Sequence, residues 1–141
     1  MKAFLLSGGL GERLRPLTLA MPKCLVPIGG SPLLGLWLDL CARHGIAEVL
    51  VNVSQHPEQV RRFIEHRRHQ SPRVTLVVEH TPRGTAGTVA ANRQFVAGEE
   101  SFWIFYSDTL TDVDLREVAE THRRHTALLT MGLFHASVPA A

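Results

Sequence analysis

Three glycines, two arginines and a lysine near the start of the chain could do chemistry together. Gly8, Gly9 and Gly11 follow a short apolar run, Arg13 and Arg15 come directly after, and Lys23 stands behind Pro22. Glycine leaves room for a ligand to lie on the backbone, and it allows the positive φ values that turn successive N–H groups inward. Guanidinium and ammonium groups supply the charge that a polyphosphate needs. The pattern differs from the two best-known phosphate loops. A dinucleotide fingerprint needs a glycine three residues after Gly11, where Leu14 stands. A Walker loop needs Gly-Lys, which occurs nowhere in the chain. Taken alone, the glycines also fit an ordinary strand-to-loop turn.

Two carboxylates extend the set. Asp108 follows the apolar run Phe102 to Tyr106, and a carboxylate at the exit of a buried strand suits a hard cation such as Mg²⁺, although aspartate also begins turns. Glu79 ends another apolar run and precedes Arg83-Gly84-Thr85-Ala86-Gly87, which by itself reads as a strand, a turn and a helix capped by Thr85. His66 with His69, and His122 with His125, share i, i+3 spacing. Both pairs lie among arginines, without a third ligand near in sequence, so they read as polar helix faces rather than zinc sites. Arg61, Arg62, Arg67, Arg68 and Arg73 read as a solvated basic face and not a nucleic-acid site, since exposed aromatics are lacking around them.

The elements that must position these residues alternate. Strands are expected at Ala3 to Ser7, Glu48 to Val53, Val74 to Val78, Phe102 to Tyr106 and Ala127 to Phe134. Helices are expected at Pro32 to His44, stopped by Gly45; at Pro57 to His69; at Thr85 to Val96; and at Asp114 to His125 with Asp114 as its N-cap. Such alternation implies a three-layer, Rossmann-like α/β fold, a mostly parallel sheet with helices on both faces. Ligands bind such sheets at the carboxyl ends of the strands, so the glycine loop, Glu79 and Asp108 should gather at one edge.

The stretch Leu5 to Ile28, LLSGGLGERLRPLTLAMPKCLVPI, resembles the signature of the sugar-phosphate nucleotidylyltransferases, roughly GGxGxRLxPLT followed by PKxLxPI. FYSDTLTDVDL is similar to the family's second motif, with Ser107 where glycine is commoner, and Glu79 with RGTAG to its E…LGTAG segment, with Arg83 in place of an apolar residue. The resemblance is strongest in feel to the mannose-1-phosphate guanylyltransferase-like members. It implies transfer of a nucleoside monophosphate from an NTP, with GTP favoured, to a sugar 1-phosphate, with Mg²⁺ as cofactor. Arg13, Lys23 and Asp108 would then be catalytic, Asp108 the metal ligand. Ser7, Gly8, Gly9 and Gly11 would take the phosphates, and Glu79, Gly84 and Thr85 the base. Family members usually run past the fifth strand, so the chain is expected to be the nucleotide-binding portion, with the sheet incomplete at the C-terminus and the sugar-binding half absent. It is then expected to be weak or inactive alone and able to self-associate. A non-catalytic nucleotide-binding or regulatory module is the alternative.

The totals agree with a soluble protein. The 141 residues suit one domain, 45% are apolar and 20% charged, and the net charge of +2 argues for neither nucleic acid nor a membrane surface as partner. Cys24 and Cys41 show no metal or redox spacing, and the first apolar run stops at Leu6, too short for a secretory core. The expectation is a cytoplasmic protein.

Overall fold

The computed structural model describes residues 1–133. Two compact units divide it, Met1–Leu110 and a second that begins at Thr111. In the first, β1 (Lys2–Leu6) runs into the glycine loop, a 3-10 turn (Glu12–Leu14) and a short helix α1 (Leu17–Ala20). A second 3-10 turn (Lys23–Leu25) leads to a hairpin of β2 (Pro27–Ile28) and β3 (Ser31–Pro32). Gly29 and Gly30, with φ of 58° and 85°, supply its turn, a conformation that a two-residue hairpin favours. Helix α2 (Leu33–Arg43), β4 (Glu48–Val53), α3 (Pro57–His66), β5 (Arg73–Val78) and α4 (Gly84–Ala91) follow, then a 3-10 turn (Arg93–Val96) and β6 (Trp103–Tyr106). The second unit holds α5 (Leu115–His125).

The main sheet is wholly parallel, in the order β5-β4-β1-β6. Chain order grows outward on one side of β1 and then reverses to its other side, which puts a topological switch point at the carboxyl end of β1. Both faces of the sheet are covered. Phe4 meets Phe95, from the turn after α4, edge-on at 5.5 Å, whereas Phe105 stacks on Trp37 of α2 at 4.9 Å. Phe105 is in register with Leu5 and not with Phe4, and successive strand residues face opposite ways. Helix α2 therefore lies on one face and the post-α4 turn on the other. Ala3, Phe4 and Leu5 of the central strand and Val49, Leu50 and Val51 of β4 are buried. This explains why these strands read as unbroken apolar runs.

Most sequence boundaries hold to within a residue or two, and the departures have local causes. Helix α2 ends as expected at Gly45, where Gly45 N donates to Ala42 O at 3.1 Å and Ile46 N to Cys41 O at 2.9 Å, a Schellman cap that φ of +70° at Gly45 makes possible. Helix α3 stops three residues early, in 3-10-like turns at Arg67 and Arg68 that precede Pro72. The helix expected through Val96 breaks at Asn92, whose side chain donates to Thr88 O at 2.8 Å and competes with the ladder. Thr85 is not a cap: α4 begins at Gly84 after Arg83, without a side-chain cap bond. The expected fifth strand does not form over residues 127–133, and Phe134 lies outside the described residues. Apolar content suggested it, but a strand exists through its ladder, and residues 127–133 enter none. Asp114 does cap α5, its Oδ1 accepting the N–H of Arg116 at 2.9 Å. Among the described residues no helix is long and apolar enough to cross a membrane.

Candidate active site at the carboxyl ends of the strands

A cavity of about 540 Å³ opens at the switch point. Its floor is the end of β1 and the glycine loop: Ser7, Gly8, Gly9 and Gly11 all line it, with Arg13 beyond them. Gly11 has φ of +65°, and a Cβ there would stand 2.9 Å from Thr18 Cγ2, so the position requires glycine twice over. Thr18 Oγ1 donates to Gly11 O at 2.8 Å, and Ser54 Oγ donates to Gly8 O at 2.9 Å. The loop is thus braced from behind by α1 and by the end of β4. At Gly9 nothing lies within 4 Å of where a Cβ would be. That space belongs to the cavity.

One wall comes from β6. Ser107 N donates to Leu6 O at 3.1 Å, which continues the β1–β6 ladder by one residue and sets Asp108 at the rim. Lys23 reaches across from its 3-10 turn, and its Nζ donates to Asp108 Oδ2 at 3.0 Å. Arg13 is exposed and lines the cavity, and its guanidinium has no hydrogen bond or ion pair among the described residues. No group of three His, Cys, Asp or Glu residues suited to a metal occurs among the described residues. Mg²⁺ does not need one, because it binds through one or two carboxylates together with substrate phosphates. Asp108, an oxygen donor at the rim of the cavity, fits that requirement.

The opposite wall follows β5. Glu79 N donates to Val53 O at 2.8 Å, which anchors the turn to β4. The side chain is 4% exposed. Its Oε1 accepts from Thr88 Oγ1 at 2.8 Å and its Oε2 from Asn52 Nδ2 at 3.1 Å. Gly84, with φ of +70°, and Thr85 complete this side with Pro82, while Arg83 is exposed and does not line the cavity.

Ser7, Gly8, Gly9, Gly11, Arg13, Lys23, Glu79, Gly84, Thr85 and Asp108 therefore border one cavity, whereas Arg15 and Arg83 do not line it. Sequence reasoning missed Asn52, Thr88 and Thr18. The signal for Asn52 was present, a lone amide in the apolar run EVLVNV, since a buried polar side chain must find partners. His66 and His69 do not line the cavity: His66 Nδ1 lies 2.6 Å from Arg62 O, and His69 Nε2 accepts from Arg68 Nε at 3.0 Å; within the second unit, His122 Nδ1 lies 2.9 Å from Thr130 Oγ1. Arg61, Arg67 and Arg73 pair with Glu58, Asp39 and Glu48.

Comparison with known proteins points one way. The sequence model of a family described as nucleotidyl transferase matches residues 2–140. The mannose-1-phosphate guanyltransferase of Schizosaccharomyces pombe is 35% identical over 129 residues, 90% of this chain and 36% of that protein. Its Saccharomyces cerevisiae namesake is 32% identical over 127 residues, 89% of this chain and 35% of that protein. The chain thus spans about a third of the length of these relatives. Among solved structures, a Bacillus anthracis protein described as a glucose-1-phosphate thymidylyltransferase, in complex with sucrose, superposes with a TM-score of 0.79 at 24% identity, over 88% of this chain and 50% of that one. HddC of Yersinia pseudotuberculosis, complexed with GMP-PN, gives 0.73 at 23% identity, over 86% and 53%. At such identity these two speak for the fold.

Proposed function

The chain belongs to the nucleotidyl transferase family, and from that membership we propose that it is the nucleotide-binding portion of an enzyme that forms an NDP-sugar from an NTP and a sugar 1-phosphate, with release of pyrophosphate. One observation carries the reading: the glycine loop, Arg13, Lys23, Asp108 and the Glu79 turn border a single cavity at the strand ends. The names of the guanyltransferase relatives favour GTP and mannose 1-phosphate.

The attacking oxygen belongs to a phosphate that is already anionic, so no general base is needed. The barrier is the approach of two polyanions, and positioning with charge neutralisation lowers it. The N–H groups around Gly8, Gly9 and Gly11 take the NTP phosphates, and Arg13 holds the departing pyrophosphate. Lys23 reaches the phosphates near the reacting centre, and its 3.0 Å pair with Asp108 keeps both groups aimed there beforehand. Asp108 would hold Mg²⁺, which when bound supplies further positive charge against the phosphates. Glu79, Gly84 and Thr85 form the wall for the base.

Calorimetry of the 141-residue chain with Mg²⁺ tests the reading. GTP is expected to bind at least tenfold more tightly than GMP, and Arg13→Ala to narrow that gap. Equal affinity for the mono- and triphosphate would remove the phosphate assignment.

A further inference from the structure

The proposed nucleotide site has two sides carried by different strands, the glycine loop after β1 and the turn after β5. One side chain touches both. Asn52 lies in β4, the strand between β1 and β5, and is 4% exposed. Its Oδ1 accepts the N–H of Ser7, at the head of the glycine loop, at 2.9 Å. Its Nδ2 donates to Glu79 Oε2 at 3.1 Å and to Thr88 Oγ1 at 3.3 Å, and Thr88 Oγ1 donates to Glu79 Oε1 at 2.8 Å. A Cβ on Gly8 would stand 2.5 Å from the same Nδ2, so loop and amide are in direct contact.

The directions of these bonds leave little freedom. An amide has two N–H donors, and both are used. The single Thr88 proton goes to Glu79, so the hydroxyl can only accept from Asn52. Glu79 then accepts at both oxygens, as an ionised carboxylate does. A 180° flip of the amide would face its oxygen to the carboxylate and its N–H groups to the Ser7 N–H, and would lose all three bonds. Buried networks of this kind hold one arrangement because each alternative strands a desolvated polar group.

We propose that Asn52 is a positioning residue that couples the phosphate side of the site to the base side, so that the spacing between them matches a complete nucleoside triphosphate. The inference rests on the function proposed above. Asn52 acts through Ser7 and Glu79, and Thr88 acts through Glu79. The two residues therefore predict different losses. Removing Asn52 frees both sides, while removing the Thr88 hydroxyl disturbs the base side and leaves the Asn52–Ser7 bond in place.

The experiment is calorimetry of the whole 141-residue chain with Mg²⁺ and three probes, GTP, guanosine and inorganic tripolyphosphate, together with hydrogen exchange at the Ser7 amide. Asn52→Ala is expected to weaken guanosine and tripolyphosphate each by about tenfold, the scale of one buried hydrogen bond, and to expose the Ser7 amide to exchange. Thr88→Val is expected to weaken guanosine by a similar factor, to leave tripolyphosphate within about twofold, and to leave Ser7 protected. If Asn52→Ala does not fold, the split in Thr88→Val still decides, because loss of both probes together there would overturn the coupling. Unchanged binding of both probes in Asn52→Ala would overturn it as well. A parent chain that binds GTP no better than tripolyphosphate would instead overturn the base side of the proposed function, and the inference with it.

Discussion

Gly8 and Gly9 are neighbours in sequence, yet an added methyl group meets different surroundings at each. At Gly8 it would come within 2.5 Å of Asn52 Nδ2, whereas at Gly9 it would meet nothing within 4 Å. Gly8→Ala is therefore expected to cost about 1–3 kcal/mol of stability, the usual scale of overpacking, measured by denaturant unfolding. Gly9→Val should fold like the parent and still lose Mg²⁺-NTP affinity, and unchanged affinity would mean that phosphate does not pass there. Asp108 separates charge from shape. Asp108→Asn should preserve the fold, since the side chain is at the rim, and should abolish the Mg²⁺ dependence of NTP binding, read by titrating metal at fixed nucleotide. The two thiols report burial. Desolvation pushes Cys24 and Cys41 from 9.0 up to about 12. The folded state thus keeps protons that an unfolded thiol releases near pH 9. Stability present below pH 9 should be lost as pH rises towards 12, and Cys24→Ala should shrink that slope in unfolding measured across the range.

At the scale of elements, α2 and α5 are bounded by chemistry that the sequence states openly. Gly45 ends α2 at φ of +70°, so Gly45→Ala should cost about 1 kcal/mol. Asp114 caps α5, and its replacement by alanine should cost about 1 kcal/mol as well, seen as lost helical signal. The break at Asn92 is less visible, because alanine-rich neighbours carry a helical pattern through it and the competing bond to Thr88 O appears only once the backbone is in place. The failure of residues 127–133 to form a strand has another origin. Leu128, Leu129, Met131 and Leu133 are all exposed, and apolar composition cannot supply a ladder.

At the scale of the molecule, the reversal of strand order beside β1 is what turns separate motifs into one cavity. Residues far apart in the chain, such as Lys23 and Asp108, meet there at 3.0 Å. The exposed leucines and Met131 make concentration-dependent association an expected outcome, to be read by sedimentation. Since the chain spans about a third of the length of its relatives, the 141 residues are expected to bind Mg²⁺-GTP without efficient transfer. Pyrophosphate release with a panel of sugar 1-phosphates should stay below about 1 per second. A monomer at or above that rate would contradict the proposal of a nucleotide-binding portion.

The sequence by itself determined the alternation of strands and helices, because buried parallel strands must read as apolar runs and helix ends carry their own caps. It also determined that the glycine loop, Glu79 and Asp108 would gather at one edge, because the strand ends are where such sheets bind ligands. Tertiary structure alone decided the rest. Asn52, Thr88 and Thr18 have functional partners 27 residues, 9 residues and 7 residues away, and no local pattern encodes a hydrogen bond between elements. The same holds for the Lys23–Asp108 pair and for the unformed strand, since both depend on which backbone and side-chain groups the fold brings together.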